Sequence, residues 1–255
     1  MNLMWSIYLF MIGAVLGSFY AVVATRLPKN ESLIAPGSHC EFCQKQLKWY
    51  ELIPVLSYLL QLGKCRKCHQ KLSLTYPFVE VGTGLLFVLS YLKFGFHISF
   101  FISIILSSLV IIIFVSDMKY MIILDSPLLI SAILIFTLTW LSKGFLPSLI
   151  SLMEGFGMFL TFLLIGKLGA FLFKREALGG GDIKLSFLIG MVLGYKMGLL
   201  SFIFATFLAL PYAILCLFLK EGHEVPFGPF LVSSLWIIFF FQEKFTLIWN
   251  YFFLF

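Results

Sequence analysis

Runs of about 20 apolar residues, the length that crosses roughly 30 Å of hydrocarbon, recur along almost the whole chain. They fall at 4–23, 77–93, 98–116, 122–141, 148–173, 184–198, 199–219 and 228–248. With 61% hydrophobic residues, 12% charged residues and 31 phenylalanines in 255 positions, the composition excludes a soluble domain. The spacing predicts an all-α polytopic membrane protein of about eight transmembrane helices. The first run has no basic segment before it and Arg26 and Lys29 after it, so it reads as a retained span rather than a cleavable signal peptide. The tightest stretch is 184–220, where two crossings share so few residues that one must be short or tilted.

Only residues 24–76 break the apolar pattern. Eight basic residues there (Arg26, Lys29, Lys45, Lys48, Lys64, Arg66, Lys67, Lys71) stand against Glu31, Glu41 and Glu51, which is 8 − 3 = +5 of the chain's net +6. If this insertion is cytoplasmic, Lys119, Lys174, Arg175, Lys184 and Lys220 join it on the inside. Lys93, Lys143, Lys196 and Lys244 then remain outside, a strong positive-inside bias. The expected orientation has both termini outside. The lysines read as orienting the chain against anionic lipid, and no nucleic-acid partner is expected. No repeated unit or low-complexity tract stands out.

The insertion holds four of the five cysteines, Cys40 and Cys43 in one CxxC and Cys65 and Cys68 in another. Two such knuckles complete a closed four-thiolate shell, and the pattern predicts a structural zinc site with no open position for substrate. An insertion of this size can barely build an apolar core, so a metal staple makes physical sense. Two alternatives stand beside it. Redox or disulfide use is disfavoured by a reducing compartment. Covalent haem, which Cys65, Cys68 and His69 would match in "CRKCH", belongs to the outer face. Cys216, in an apolar run, reads as a small core residue.

Acidic residues are few, and Asp117, Asp125 and Asp182 all fall at the inner ends of predicted spans. Singly, Asp117 and Asp182 read as interfacial residues or helix caps. Together on one membrane face, a pair of carboxylates can share a proton, one acting as base toward water while the other donates to a carbonyl, which is aspartyl protease chemistry. The glycines of "ALGGGDIKLS", Gly179 and Gly181 among them, would allow an unusual turn and close approach by an extended peptide backbone.

These blocks are similar to those of the type IV prepilin peptidases, the GxGD-type membrane aspartyl proteases. The resemblance runs almost end to end: "GSFYAVVATRLP" at 17–28, the paired CxxC with "WYELIPVLSYL", "YPFVEVGTG", "SDMKYMIILD", "LGGGDIKL", and "VPFGPFL" at 225–231. It implies that Asp117 and Asp182 are the catalytic pair, while Asp125 matches a family aspartate outside the pair. It further implies a bacterial inner-membrane enzyme that removes the basic leader of prepilins or pseudopilins on the cytoplasmic face. Methylation of the new N-terminal amine from S-adenosylmethionine would follow. Two positions depart from the family pattern: Ala21 where asparagine is common, and Leu124 where Ile-Pro-Asp is common. The first bears on methylation rather than on the dyad.

The expected division is a first span (1–23), a zinc-stapled insertion associated by resemblance with methyl transfer (24–76), and a peptidase core (77–255). Glu80, a few residues into a span, reads either as snorkelling to the interface or as a contact with substrate or methyl donor. Pro226 and Gly228 read as helix initiation or as a substrate-facing loop. Lys119 and Lys184 lie two residues after aspartates and read as snorkelling or as neighbours of those charges. Two rival readings are a GxGD protease of another branch and a transporter with glycine-broken helices. The sequence leaves open the oligomeric state and the particular pilin-like substrates.

Overall fold

A computed structural model describes residues 2–174, 178–219 and 225–253. Arg175 and Lys220, counted above among the inner basic residues, lie outside them. The described residues are helical with no strand: α1 (Asn2–Arg26), the short α2 (Leu56–Leu60), α3 (Thr75–Phe94), α4 (Ile98–Tyr120), α5 (Asp125–Lys143), α6 (Phe145–Phe173), α7 (Gly180–Phe218), α8 (Gly228–Phe240) and α9 (Gln242–Phe253). Among the described residues six helices are long and apolar enough to cross a membrane, or seven if α8 and α9 form one bent span. The expected count of eight is therefore approximate, and two boundaries account for the difference.

The first lies in α7. Its 39 residues would make a straight rod about 58 Å long. Gly194, at φ 79° and ψ 166°, breaks it into 180–193 and 195–218. Only glycine takes such a backbone without steric cost. The helix bends sharply there, since a Cβ at Gly198 would lie 3.5 Å from Ile189 across the break. The first limb is about 21 Å long, the short member that the crowding in 184–220 requires. The break comes a few residues before the expected boundary between the spans 184–198 and 199–219.

The second boundary is at Phe241, where α8 and α9 meet at 92° instead of continuing as a span over 228–248. The polar run Gln242, Glu243 and Lys244 opens α9 there, and such residues are costly at membrane depth.

The chain forms two compact units, Met1–Phe96 and His97–Phe255. In the first, α1 and α3 pack closely enough that a Cβ on Gly13 would meet the Gly84 Cα at 2.8 Å, the small-residue crossing that membrane helices use. Ala21 is fully buried in this unit. In the second, the fully buried side chains Leu106, Ile113, Leu185, Leu188, Leu231 and Leu235 come from α4, α7 and α8. Hydroxyl and indole groups tie these helices: the Trp236 indole donates to Ser107 at 2.9 Å, and Ser201 and Ser234 bond at 2.7 Å.

Candidate active site and metal centre

Helix α4 ends just after Asp117. Met121 adopts a left-handed backbone and its N–H returns to the Asp117 carbonyl at 2.9 Å, an αL cap that closes the helix. The Asp117 side chain is buried, and its Oδ2 accepts the Gly228 N–H, at the start of α8, at 3.1 Å. A Cβ on Gly228 would lie 2.8 Å from that oxygen, so a side chain there would displace the carboxylate. Pro226 is buried just before this helix, and Pro229 occupies its first turn, where the missing N–H costs nothing.

Asp182 lies in the first turn of α7, with its Oδ2 3.1 Å from where a Gly179 Cβ would be. The Ile123 side chain joins the two halves. A Cβ on Gly181 would meet the Ile123 Cβ at 2.8 Å, and one on Gly228 would meet its Cδ1 at 2.9 Å. Asp117 and Asp182 are close enough for their charges to act on each other. Of the sequence-predicted residues, Asp117, Asp182, Gly179, Gly181, Pro226 and Gly228 thus gather at one end of α4, α7 and α8. Gly180, between the two packed glycines, has nothing within 4 Å of its missing Cβ.

Two features here have no signal in the sequence. Ile123 is a spacer between the glycines, and no charge or motif marks it. Lys184 pairs with Asp125 at 2.7 and 2.8 Å instead of with the neighbouring Asp182. Both partners of that pair are exposed, so it contributes about 1 kcal/mol at most. It stands beside a cleft of about 590 Å³ between α5, α6 and α7, lined by Leu128, Leu129, Phe156 and Phe187 among others. Leu124, the departure noted in the sequence, has φ −76° and ψ 125°. Proline adopts this backbone too, so the departure from Ile-Pro-Asp changes no local geometry.

The second centre lies in the N-terminal unit. All four Sγ atoms of Cys40, Cys43, Cys65 and Cys68 lie within 4.8 Å of one another, with Cys40–Cys68 at 3.8 Å and Cys43–Cys65 at 3.9 Å. Zn–S bonds near 2.3 Å put tetrahedral sulfurs about 3.8 Å apart, so the four residues fit one metal ion. Each knuckle is built alike. Cys40 N–H donates to the Lys45 carbonyl and Gln44 N–H to that of Cys40; Cys65 N–H donates to Gln70 and His69 N–H to Cys65. Gln44 and His69 both take positive φ. The insertion therefore contains a repeat of 25 residues that the sequence does not announce, because few side chains besides the cysteines are shared. Backbone N–H groups of Cys68 and Lys67 directed at Cys65 hold that thiol down at about 6, which favours thiolate.

Beside the knuckles, Glu51 is buried and accepts the Lys48 N–H at 2.9 Å and the Lys45 ammonium at 2.9 Å. The backbone bond first, then the lysine, holds its carboxyl below the usual range. Glu80 is buried in α3 of the same unit and accepts the Val55 N–H at 2.7 Å.

Residues 11–94 match the Bacterial Peptidase A24 N-terminal domain, and residues 104–214 match the Type IV leader peptidase family. A prepilin leader peptidase/N-methyltransferase of Bacillus subtilis is 37% identical, over 89% of this chain and 90% of its own. Proteins of the same name from Myxococcus xanthus and Vibrio cholerae are 34% and 33% identical. The first covers 88% of this chain and 66% of its own, the second 94% and 98%. No solved structure matches the chain. The two matches lie in order along the chain, and the chain belongs to the type IV leader peptidase family.

Proposed function

We propose that this protein is a membrane aspartyl endopeptidase that removes the leader of prepilins or pseudopilins and then N-methylates the new terminus. The observation that carries the reading is that Asp117 and Asp182, two acids far apart in sequence, lie within electrostatic reach of each other, at glycines whose missing side chains let Ile123 and the carboxylates pack together. One carboxylate takes a proton from a water, which attacks the scissile carbonyl while the other carboxyl donates a proton to its oxygen. The tetrahedral intermediate collapses as the amide nitrogen is protonated and the C–N bond breaks. No covalent enzyme intermediate is needed. Gly228 N–H holds Asp117 in place, and Gly179, Gly181 and Pro226 shape the adjoining backbone.

The four cysteines would hold a structural zinc ion, and their closed shell keeps it out of the chemistry. S-adenosylmethionine would supply the methyl group. The buried carboxylates of the N-terminal unit, Glu51 and Glu80, are already engaged by protein groups, so neither is assigned to holding that cationic donor. The positive-inside bias supports an inner-membrane protein with the insertion and both aspartates on the cytoplasmic side and both termini outside.

The test is co-expression with a prepilin and mass spectrometry of its N-terminus. The expected product lacks the leader and carries one added methyl group; an uncleaved prepilin overturns the reading.

A further inference from the structure

Val55 has φ 61° and ψ −51°. This left-handed half of the map is where Cβ clashes with the backbone, and a β-branched residue is the least suited to it. The Leu56 N–H closes a three-residue turn on the Pro54 carbonyl at 2.6 Å. Turns of this type with positive φ are rare and strained, and such strain persists only where the surroundings enforce it. The enforcing group here is Glu80. Its Oε2 accepts the Val55 N–H at 2.7 Å, 25 residues away in the chain, and Ser18 of α1 lies beside the same carboxylate. A Cβ on Gly17 would meet the Glu80 Cα at 3.0 Å, so α1 backs the helix turn that carries it. The strained turn opens α2, whose Leu56, Leu59 and Leu60 are exposed and which leads into the second knuckle.

We propose that Glu80 is a positioning residue for the methyl-transfer step: its carboxylate holds the Val55 turn, and through it residues 52–62, in the geometry that step uses. The proposal rests on the function proposed above. It differs from a direct contact between Glu80 and a cationic donor, because the group acts here as a hydrogen-bond acceptor rather than as a charge.

Glu80→Ala, Glu80→Gln, Val55→Gly and the double variant Glu80→Ala/Val55→Gly are each co-expressed with a prepilin. The methylated fraction is counted among cleaved molecules only, and amide exchange of peptides covering 52–62 is followed in the purified full-length proteins. Glu80→Ala is expected to lower the methylated fraction by up to about tenfold, the scale of one lost uncharged hydrogen bond, and to speed exchange. Glu80→Gln keeps both close to the unsubstituted protein, since its amide oxygen can accept the same N–H. Val55→Gly restores both in the Glu80→Ala background, because glycine reaches this φ without a Cβ. Equal loss in Glu80→Gln and Glu80→Ala overturns the proposal in favour of a charge role. Failure of Val55→Gly to rescue, or unchanged exchange in Glu80→Ala, overturns it as well. If the unsubstituted protein cleaves no prepilin, the proposed function fails, and the exchange measurements still test Glu80.

Discussion

Replacing Gly228 by alanine tests the site at the point where its packing is tightest. The new Cβ would stand 2.8 Å from Asp117 Oδ2, 2.9 Å from Ile123 Cδ1 and 3.2 Å from Ile113 Cγ2, where ordinary contact begins at 3.4 Å. Something must give by roughly 0.6 Å. Ile113 is fully buried and the Ile123 terminus also abuts Gly181, whereas the carboxylate can rotate, so the carboxylate moves and its bond to the Gly228 N–H weakens. The loss therefore falls on catalysis more than on folding. Overpacking of this size costs about 1–3 kcal/mol. A catalytic group misplaced by up to an ångström costs about a hundredfold in rate, or roughly 2.7 kcal/mol of barrier. The assay is a time course of prepilin cleavage in membranes at matched enzyme amounts. Gly228→Ala should cleave roughly a hundredfold more slowly while reaching the membrane normally. Gly181→Ala should fail likewise, because its Cβ meets the Ile123 Cβ, an atom fixed to the backbone, at 2.8 Å. Gly180→Ala, with open space around it, should stay within about twofold. A Gly228→Ala enzyme as fast as the unsubstituted one, or a Gly180→Ala enzyme as slow as Gly228→Ala, would refute the reasoning.

Two further outcomes concern the insertion. Replacing Cys40 and Cys65 by serine should lower metal content from about one zinc per chain to a small fraction, measured by elemental analysis of purified protein; unchanged zinc contradicts the four-cysteine site. Glu51, held below the usual carboxylate range by the Lys48 N–H and by Lys45, stabilises the folded insertion above its unfolded pKa of about 4.3 and loses this as pH falls through the lower folded value. Glu51→Gln should therefore lower thermal stability at neutral pH, with the gap to the unsubstituted protein narrowing below about pH 4; a gap of constant size from neutral to acid pH would count against the assignment.

What could be read in advance followed from chemistry that is local in the sequence. Apolar runs announce helices because lipid leaves a backbone few alternatives, and four cysteines in two pairs announce a metal shell whatever surrounds them. Asp117 and Asp182 stood out because carboxylates are scarce in such a chain. What escaped depends on contacts between distant segments. Ile123 looks like any apolar residue until Gly181 and Gly228 are found against it. Lys184 has an aspartate two residues away, yet it pairs with one 59 residues away, because positions two apart point to opposite sides of a helix. Gly194 is one glycine among 20, and its positive φ has no signature in composition. Glu80 could be singled out as a costly charge, but its partner is a backbone N–H that no side chain announces.

The measurement closest to the central claim is leader cleavage by Asp117→Asn and by Asp182→Asn, each isosteric and each assayed on a co-expressed prepilin with membrane insertion confirmed. Two carboxylates sharing one proton cannot be replaced by one carboxylate and an amide. The prediction is that both variants insert normally and neither releases the leader. Near-normal cleavage by either one contradicts the assignment of the pair.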